Sequence, residues 1–112
     1  MTIKRHADST EKLFGYRAQD IHEWIDQYFE LRKFRQAERR GFFNGFNPFS
    51  HRKYLHNRES LPEALNEFKE KYPAEIIKKV FLQHLRDDYR GYIPSREDFN
   101  NEEFLRKFHR IS

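Results

Sequence analysis

The 112-residue chain contains no cysteine. That excludes disulfides, thiolate metal ligands and cysteine nucleophiles together, and it leaves cysteine usage silent about the compartment. Valine occurs once and threonine twice, and no stretch alternates with a period of two, so strands have little to be built from. Only four glycines are present. No G-x-x-x-x-G-K-[ST], G-x-G-x-x-G or G-x-S-x-G occurs, which removes the common phosphate cradles and the nucleophile elbow. No serine stands beside a His–Asp pair in a triad-like setting; Ser50 next to His51 is adjacency only. Long apolar runs are missing too. Nothing approaches the ~20 residues of a membrane span, and "MTIKRHADSTEKLF" lacks the apolar stretch of a signal peptide. The expectation is a cytoplasmic protein with no membrane partner.

What is present is charge and aromatic mass. Charged residues make up 36% of the chain, and 12 Phe, 6 Tyr and 1 Trp keep it out of the disordered class. With few aliphatic residues, large rings are expected to supply much of the core. The length suits one domain, residues 1–112. The net charge of +4 is concentrated in Leu31–Arg40, "LRKFRQAERR", with five basic residues and one acid. Together with the following phenylalanines this marks 31–49 as a basic, Phe-rich elaboration. Arg32, Lys33, Arg35, Arg39 and Arg40 are the candidate nucleic-acid contacts, with the phenylalanines as stacking surfaces. The plain alternative is a solvated helix face.

Helical signals are dense. "DSTEKLFG" suggests a short first helix with Asp8 as N-cap, Glu11 at the third position and Gly15 as its stop. Ile21, Trp24, Ile25, Tyr28 and Leu31 trace an amphipathic stripe. Asn47-Pro48 predicts the start of a helix running to about Asn57. Ser60–Glu63, "SLPE", predicts a capping box opening another, which Pro73 breaks while starting the next. Gly91 is its expected end. "SRED" caps a short helix before a final amphipathic segment. The predicted fold is all-α, a compact single-domain bundle of about five or six short helices.

The chemistry sits in histidines and aspartates. At about 100° per residue, His84 falls at the centre of the face formed by Ile76, Ile77, Val80, Phe81 and Leu85. Asp88 lies one turn below it in the same stripe, and Asp87 lies toward the opposite edge. His22 and Asp26 repeat the four-residue spacing beside the Ile21/Trp24/Ile25 stripe. His51 shares a face with Tyr54 and Leu55, whereas His56 lies roughly 140° round from it. His6 stands just before the expected first helix. A lone inward histidine is ordinarily a hydrogen-bonded core residue, and an i, i+4 His–Asp pair is often a surface pair. Recurrence on three helices points instead to a metal, because buried imidazoles and carboxylates need partners. His22, His51, His84 and Asp88 are the candidate ligands, His6 and His56 secondary ones, and Asp26 the candidate general base. Imidazole and carboxylate without thiolate suit Zn, Mn, Fe or Ni.

Taken in order, "IHEWID", "HRKYLHN" and "QHLRDDYRGYIPSREDF" resemble a family of small uncharacterised bacterial and phage proteins. Its members carry IHxWxD, HRxxLHN and QHxxxDxGxIP elements. The resemblance spans His6 to Phe99 and implies a helical fold and a His/Asp set: His6, His22, Asp26, His51, His56, His84 and Asp88. It implies no activity. Here the segment between Asp26 and His51 is longer than in that pattern, as is the join between the acid and Pro94. HD-type metal phosphohydrolases offer a looser analogy, but their adjacent His-Asp dipeptide is absent. The resulting expectation is a metal-dependent hydrolase acting on a phosphoester or amide, with Tyr54 or Arg52 meeting the substrate. The alternative is a non-enzymatic module binding nucleic acid or a protein through 31–49.

Overall fold

The computed structural model describes residues 1–27 and 55–108. His51, Arg52, Tyr54, His109 and the whole basic segment 31–49 therefore lie outside the described residues. Within them the chain forms five α-helices and no strand: α1 (Ile3–Phe14), α2 (Gln19–Ile25), α3 (Leu61–Phe68), α4 (Ala74–Asp88) and α5 (Glu102–Phe108). Short 3₁₀ turns, Arg58–Ser60 and Arg96–Asn100, precede α3 and α5. Among the described residues no helix is long and apolar enough to cross a membrane.

Helix α4 is the hub, packing against α1, α2 and α3. It forms because Pro73, at the N-cap, ends the preceding segment and offers its carbonyl to the Ile77 N–H, and because Ile77, Val80, Phe81 and Leu85 share one face. All four are fully buried, each contributing about 1.5–3 kcal/mol of transfer free energy. They meet Ile21 and Ile25 of α2, Ala64 and Phe68 of α3, and Leu55. Among the described residues this core is largely aliphatic. Aromatic residues instead dominate a second small cluster of Tyr89, Phe99 and Phe108 with Phe104 against it, rings Phe104 and Phe108 being 4.8 Å apart.

Three local expectations need correction, and a fourth is described only in part. Helix α1 begins five residues before Asp8, because the Thr2 side chain accepts the Arg5 N–H and caps it. Asp8 is used instead in ion pairs with Lys4 and Arg17. His6 is thereby inside α1, not ahead of it. The helix expected to reach Asn57 does not: Leu55–Asn57 is a turn, with Asn57 fully extended. Ser60 is not a capping-box residue, since its hydroxyl donates to Asn57 Oδ1 at 3.1 Å. The stripe of α2 ends as helix at Ile25, with Asp26 as its C-cap, and Tyr28 and Leu31 lie outside the described residues.

The expected stops hold. Gly15 caps α1 with φ +81°, and Gly91 (φ +93°) returns its N–H to Arg86 O at 2.7 Å behind α4. Ser95 and Asp98 form the reciprocal cap expected of "SRED", around a 3₁₀ turn. The α1–α2 corner is tight. Ala18 sits in the left-handed region at φ 47°, a conformation that costs an L-residue about 1–2 kcal/mol. Thr10 Oγ1 lies 3.0 Å from Arg17 O, tying that corner to the body of α1.

Candidate metal centre

Four segments deliver the polar residues to one place. Helix α1 supplies His6 and Thr10, one turn apart on its buried face with Ala7. Helix α2 supplies His22 and, at its C-cap, Asp26. Helix α4 supplies His84 and Asp88, again one turn apart. His56 comes from the turn before α3, which is held by the Ser60–Asn57 bonds and by Arg58 N–H on Pro94 O at 2.9 Å.

The centre is a knot of nitrogen and carboxylate oxygen. Asp26 Oδ1 lies 2.8 Å from His56 Nε2 and 3.2 Å from His84 Nε2. Asp88 Oδ2 lies 3.3 Å from His84 Nε2 and 3.4 Å from His56 Nε2. The other Asp88 oxygen, Oδ1, is 3.1 Å from His6 Nε2, and the Met1 amino group also reaches it at 3.3 Å. Ligand atoms of Asp26, His56, His84 and Asp88 all lie within 4.8 Å of one another, close enough to hold one metal ion. His6, His22 and His84 form a second group with the same property. The histidines and Asp88 are buried, and Asp26, at 15% exposure, is the member nearest solvent.

Behind His84 runs a chain of hydrogen bonds. His84 Nδ1 is 2.8 Å from His22 Nδ1, and His22 Nε2 is 3.1 Å from Thr10 Oγ1. One proton lies between the two Nδ1 atoms. Its owner is decided at the far end. The Thr10 oxygen faces three carbonyls, Arg17 O at 3.0 Å, His6 O at 3.2 Å and Ala7 O at 3.3 Å. With its one hydrogen on a carbonyl, Thr10 accepts from His22 Nε2–H. His22 Nδ1 is then a lone pair, and His84 Nδ1–H must donate to it. His84 therefore offers Nε2 to two carboxylate oxygens. A bare lone pair facing two anions is untenable, so a cation belongs there, a proton or a metal ion.

The titration shifts follow the same geometry. Burial pushes the Asp26 and Asp88 carboxyls up, but hydrogen bonds from the histidines outweigh it and hold both well below the usual carboxylate range. Burial works against a charged His84, and the two carboxylates overcome it, so its pKa is raised. Burial lowers His6 despite its bond to Asp88. It also lowers His22, together with neighbouring His84 and His6, to about 3. His22 is thus a neutral link in the chain at physiological pH.

Of the residues singled out in the sequence, His22, Asp26, His84 and Asp88 all reach the centre, but in different parts. His22 backs His84 and, among the described residues, faces no carboxylate at hydrogen-bond distance. His6 and His56, the secondary candidates, stand in direct contact with Asp88 and Asp26. Thr10 carries no sequence signal of its own, and Asp87, expected toward the opposite edge of its helix, also stands beside the centre. Asp87 Oδ2 lies 4.0 Å from His6 Nδ1, and neither buried atom has a hydrogen-bond partner among the described residues.

No protein-family model matches the chain, and neither a curated protein nor a solved structure matches it.

Proposed function

We propose that this protein binds a divalent metal ion at Asp26, His56, His84 and Asp88 and uses it to hydrolyse a phosphoester or an amide. The observation that carries the reading is the buried convergence of these four ligand atoms within 4.8 Å, delivered by three separate segments. Two imidazoles and two carboxylates form a donor set suited to Zn, Mn, Fe or Ni. The nitrogen of His84 not aimed at the ion is hydrogen-bonded to His22, as is usual for a ligating histidine.

A divalent ion held by these residues would supply a water of lowered pKa and polarise the scissile group. The chain's own residues define the rest. His56, His84 and Asp88 form the buried wall. Asp26, nearest solvent, is placed to receive the proton that the attacking water gives up. The water oxygen bonds to phosphorus or to the carbonyl carbon, the bond to the leaving oxygen or nitrogen breaks, and the proton returns to that leaving atom. A structural site would be closed by protein atoms on every side, and the partial exposure of Asp26 favours an open one.

Untagged protein stripped with EDTA and titrated with Zn²⁺ or Mn²⁺ in a calorimeter tests the site. Bis(p-nitrophenyl) phosphate and a p-nitroanilide test the chemistry. Saturable binding with turnover that depends on the added ion is the expected result, and Asp26→Asn, which removes one anionic ligand, should weaken binding and lose turnover together. An untagged wild type that takes up neither ion overturns the reading.

A further inference from the structure

We infer that the centre accommodates two divalent ions rather than one, with Asp88 bridging them and His6 holding the second. This rests on the metal reading above and extends it.

The argument starts from two rings. His6 and His84 stack with centroids 3.7 Å apart and planes inclined by only 15°. The rings come from different helices, yet each directs its Nε2 at the same carboxylate. His6 Nε2 meets Asp88 Oδ1 at 3.1 Å, and His84 Nε2 meets Asp88 Oδ2 at 3.3 Å. One carboxylate thus lies across the ends of two parallel imidazoles, one oxygen to each. Paired ions in hydrolytic centres stand about 3.5–4 Å apart, and the ring spacing falls in that interval. A carboxylate offering one oxygen to each ion is the bridge such a pair needs. The first ion takes His84, His56, Asp26 and Asp88 Oδ2. The second would take His6 Nε2 and Asp88 Oδ1, displacing the Met1 ammonium that reaches this oxygen at 3.3 Å.

The surroundings of His6 support a ligand role independently. Its Nδ1 and Asp87 Oδ2 are both buried, both without a hydrogen-bond partner among the described residues, and 4.0 Å apart. A buried His and a buried carboxylate oxygen facing one another are the elements of a carboxylate–histidine–metal arrangement. In the metal-free state Nε2–H donates to Asp88 Oδ1; an ion at that oxygen would send the proton to Nδ1, on the side of Asp87, and take the Nε2 lone pair. Both stacked histidines would then share one plan, His84 backed through Nδ1 by its 2.8 Å bond to His22 and His6 by Asp87, once its carboxylate closes the 4.0 Å gap to Nδ1. Of the two substrate classes, the pair favours a phosphoester, because two ions can hold both the attacking and the leaving oxygen of an in-line displacement.

Mn²⁺ is the probe. Untagged apo-protein is loaded with Mn²⁺, freed of excess ion, and assayed for metal per chain and by electron paramagnetic resonance. The expected wild type carries two Mn²⁺ with an exchange-coupled spectrum. His6→Gln should carry one, with the spectrum of an isolated ion. Asp87→Asn, which leaves the ligands in place, should weaken only the second binding step, by about 10–100-fold, and it serves if His6→Gln does not fold. A wild type holding one uncoupled ion overturns the bridged pair while leaving the single-metal reading intact. A wild type holding none overturns both. Two ions retained unchanged in His6→Gln or, if that variant does not fold, an unweakened second step in Asp87→Asn, would also overturn the assignment.

Discussion

Thr10 shows how far from the centre its chemistry is decided. Its hydroxyl is committed to a backbone carbonyl, and through His22 that commitment fixes which nitrogen of His84 is free. Thr10→Val keeps the shape and removes the oxygen. Metal affinity should fall about 10–100-fold, and stability by about 1–3 kcal/mol for the stranded His22 N–H. Thr10→Ser should restore most of both, as read by chelator competition and urea unfolding. His84 itself gives a sharper contrast. A histidine that merely satisfied a core position would tolerate leucine, a residue of similar volume on an apolar face. Here Asp26 and Asp88 would be left without their counter-charge, so His84→Leu should cost about 3–5 kcal/mol and abolish metal binding. A His84→Leu protein as stable as wild type would refute the site. The importance of His84 was legible in the helical pattern, since it stands at the middle of the apolar face. The importance of Thr10 was not, because it depends on a partner twelve residues away and on carbonyls that only the folded corner brings together.

The helices themselves show where pattern suffices. α4 was readable from Pro73 to its final turn because its periodicity is long and uninterrupted. The start of α1 differs from the pattern because Thr2 provides the cap, while Asp8 is taken up by ion pairs with Lys4 and Arg17, the latter from across the corner. The turn at Leu55–Asn57 is not legible in the spacing because the contact that holds it is tertiary, Arg58 N–H on Pro94 O. Between α2 and the end of α3, one contact admits a direct test. The Asp20 carboxylate receives Lys71 Nζ at 2.6 Å, Tyr72 OH at 2.8 Å and the Ile21 N–H at 3.0 Å. Burial and the bond to Asp20 push the Tyr72 phenol up to about 12. In an ultraviolet titration one tyrosine should therefore ionise well after the exposed ones. Asp20→Asn should bring it back toward the ordinary value of 10.0 and cost about 1 kcal/mol in stability.

For the whole molecule the opposed shifts of the histidines set a pH optimum in the metal-free state. His6 and His22 have folded values below 6.5, His22 at about 3, so the unfolded chain binds protons first as pH falls. Stability is lost on that side from about pH 6.5 downward, and below the ordinary carboxyl value of 3.8 Asp26 and Asp88 add to the loss. His84 is raised above 6.5, so its contribution is full below that value and is lost as pH rises through its folded pKa. The melting temperature of apo-protein should therefore peak near pH 6.5. With saturating Zn²⁺ the alkaline limb should flatten, since the ion takes the place of the His84 proton and competes better as protons become scarce. An apo-protein whose stability climbs steadily to pH 9 would contradict this account.

The centre joins His6 to Asp88, 82 residues apart in sequence. In kinetic terms, this is a contact of very high order, and its ligands assemble only after α1, α2 and α4 have docked. Ion capture then belongs on the native side of the folding barrier. Added metal should leave the refolding arm of the chevron almost unmoved and slow the unfolding arm by the full factor of its binding. In a chain without a single cysteine, the ion would take the part of a cross-link that forms last and holds longest.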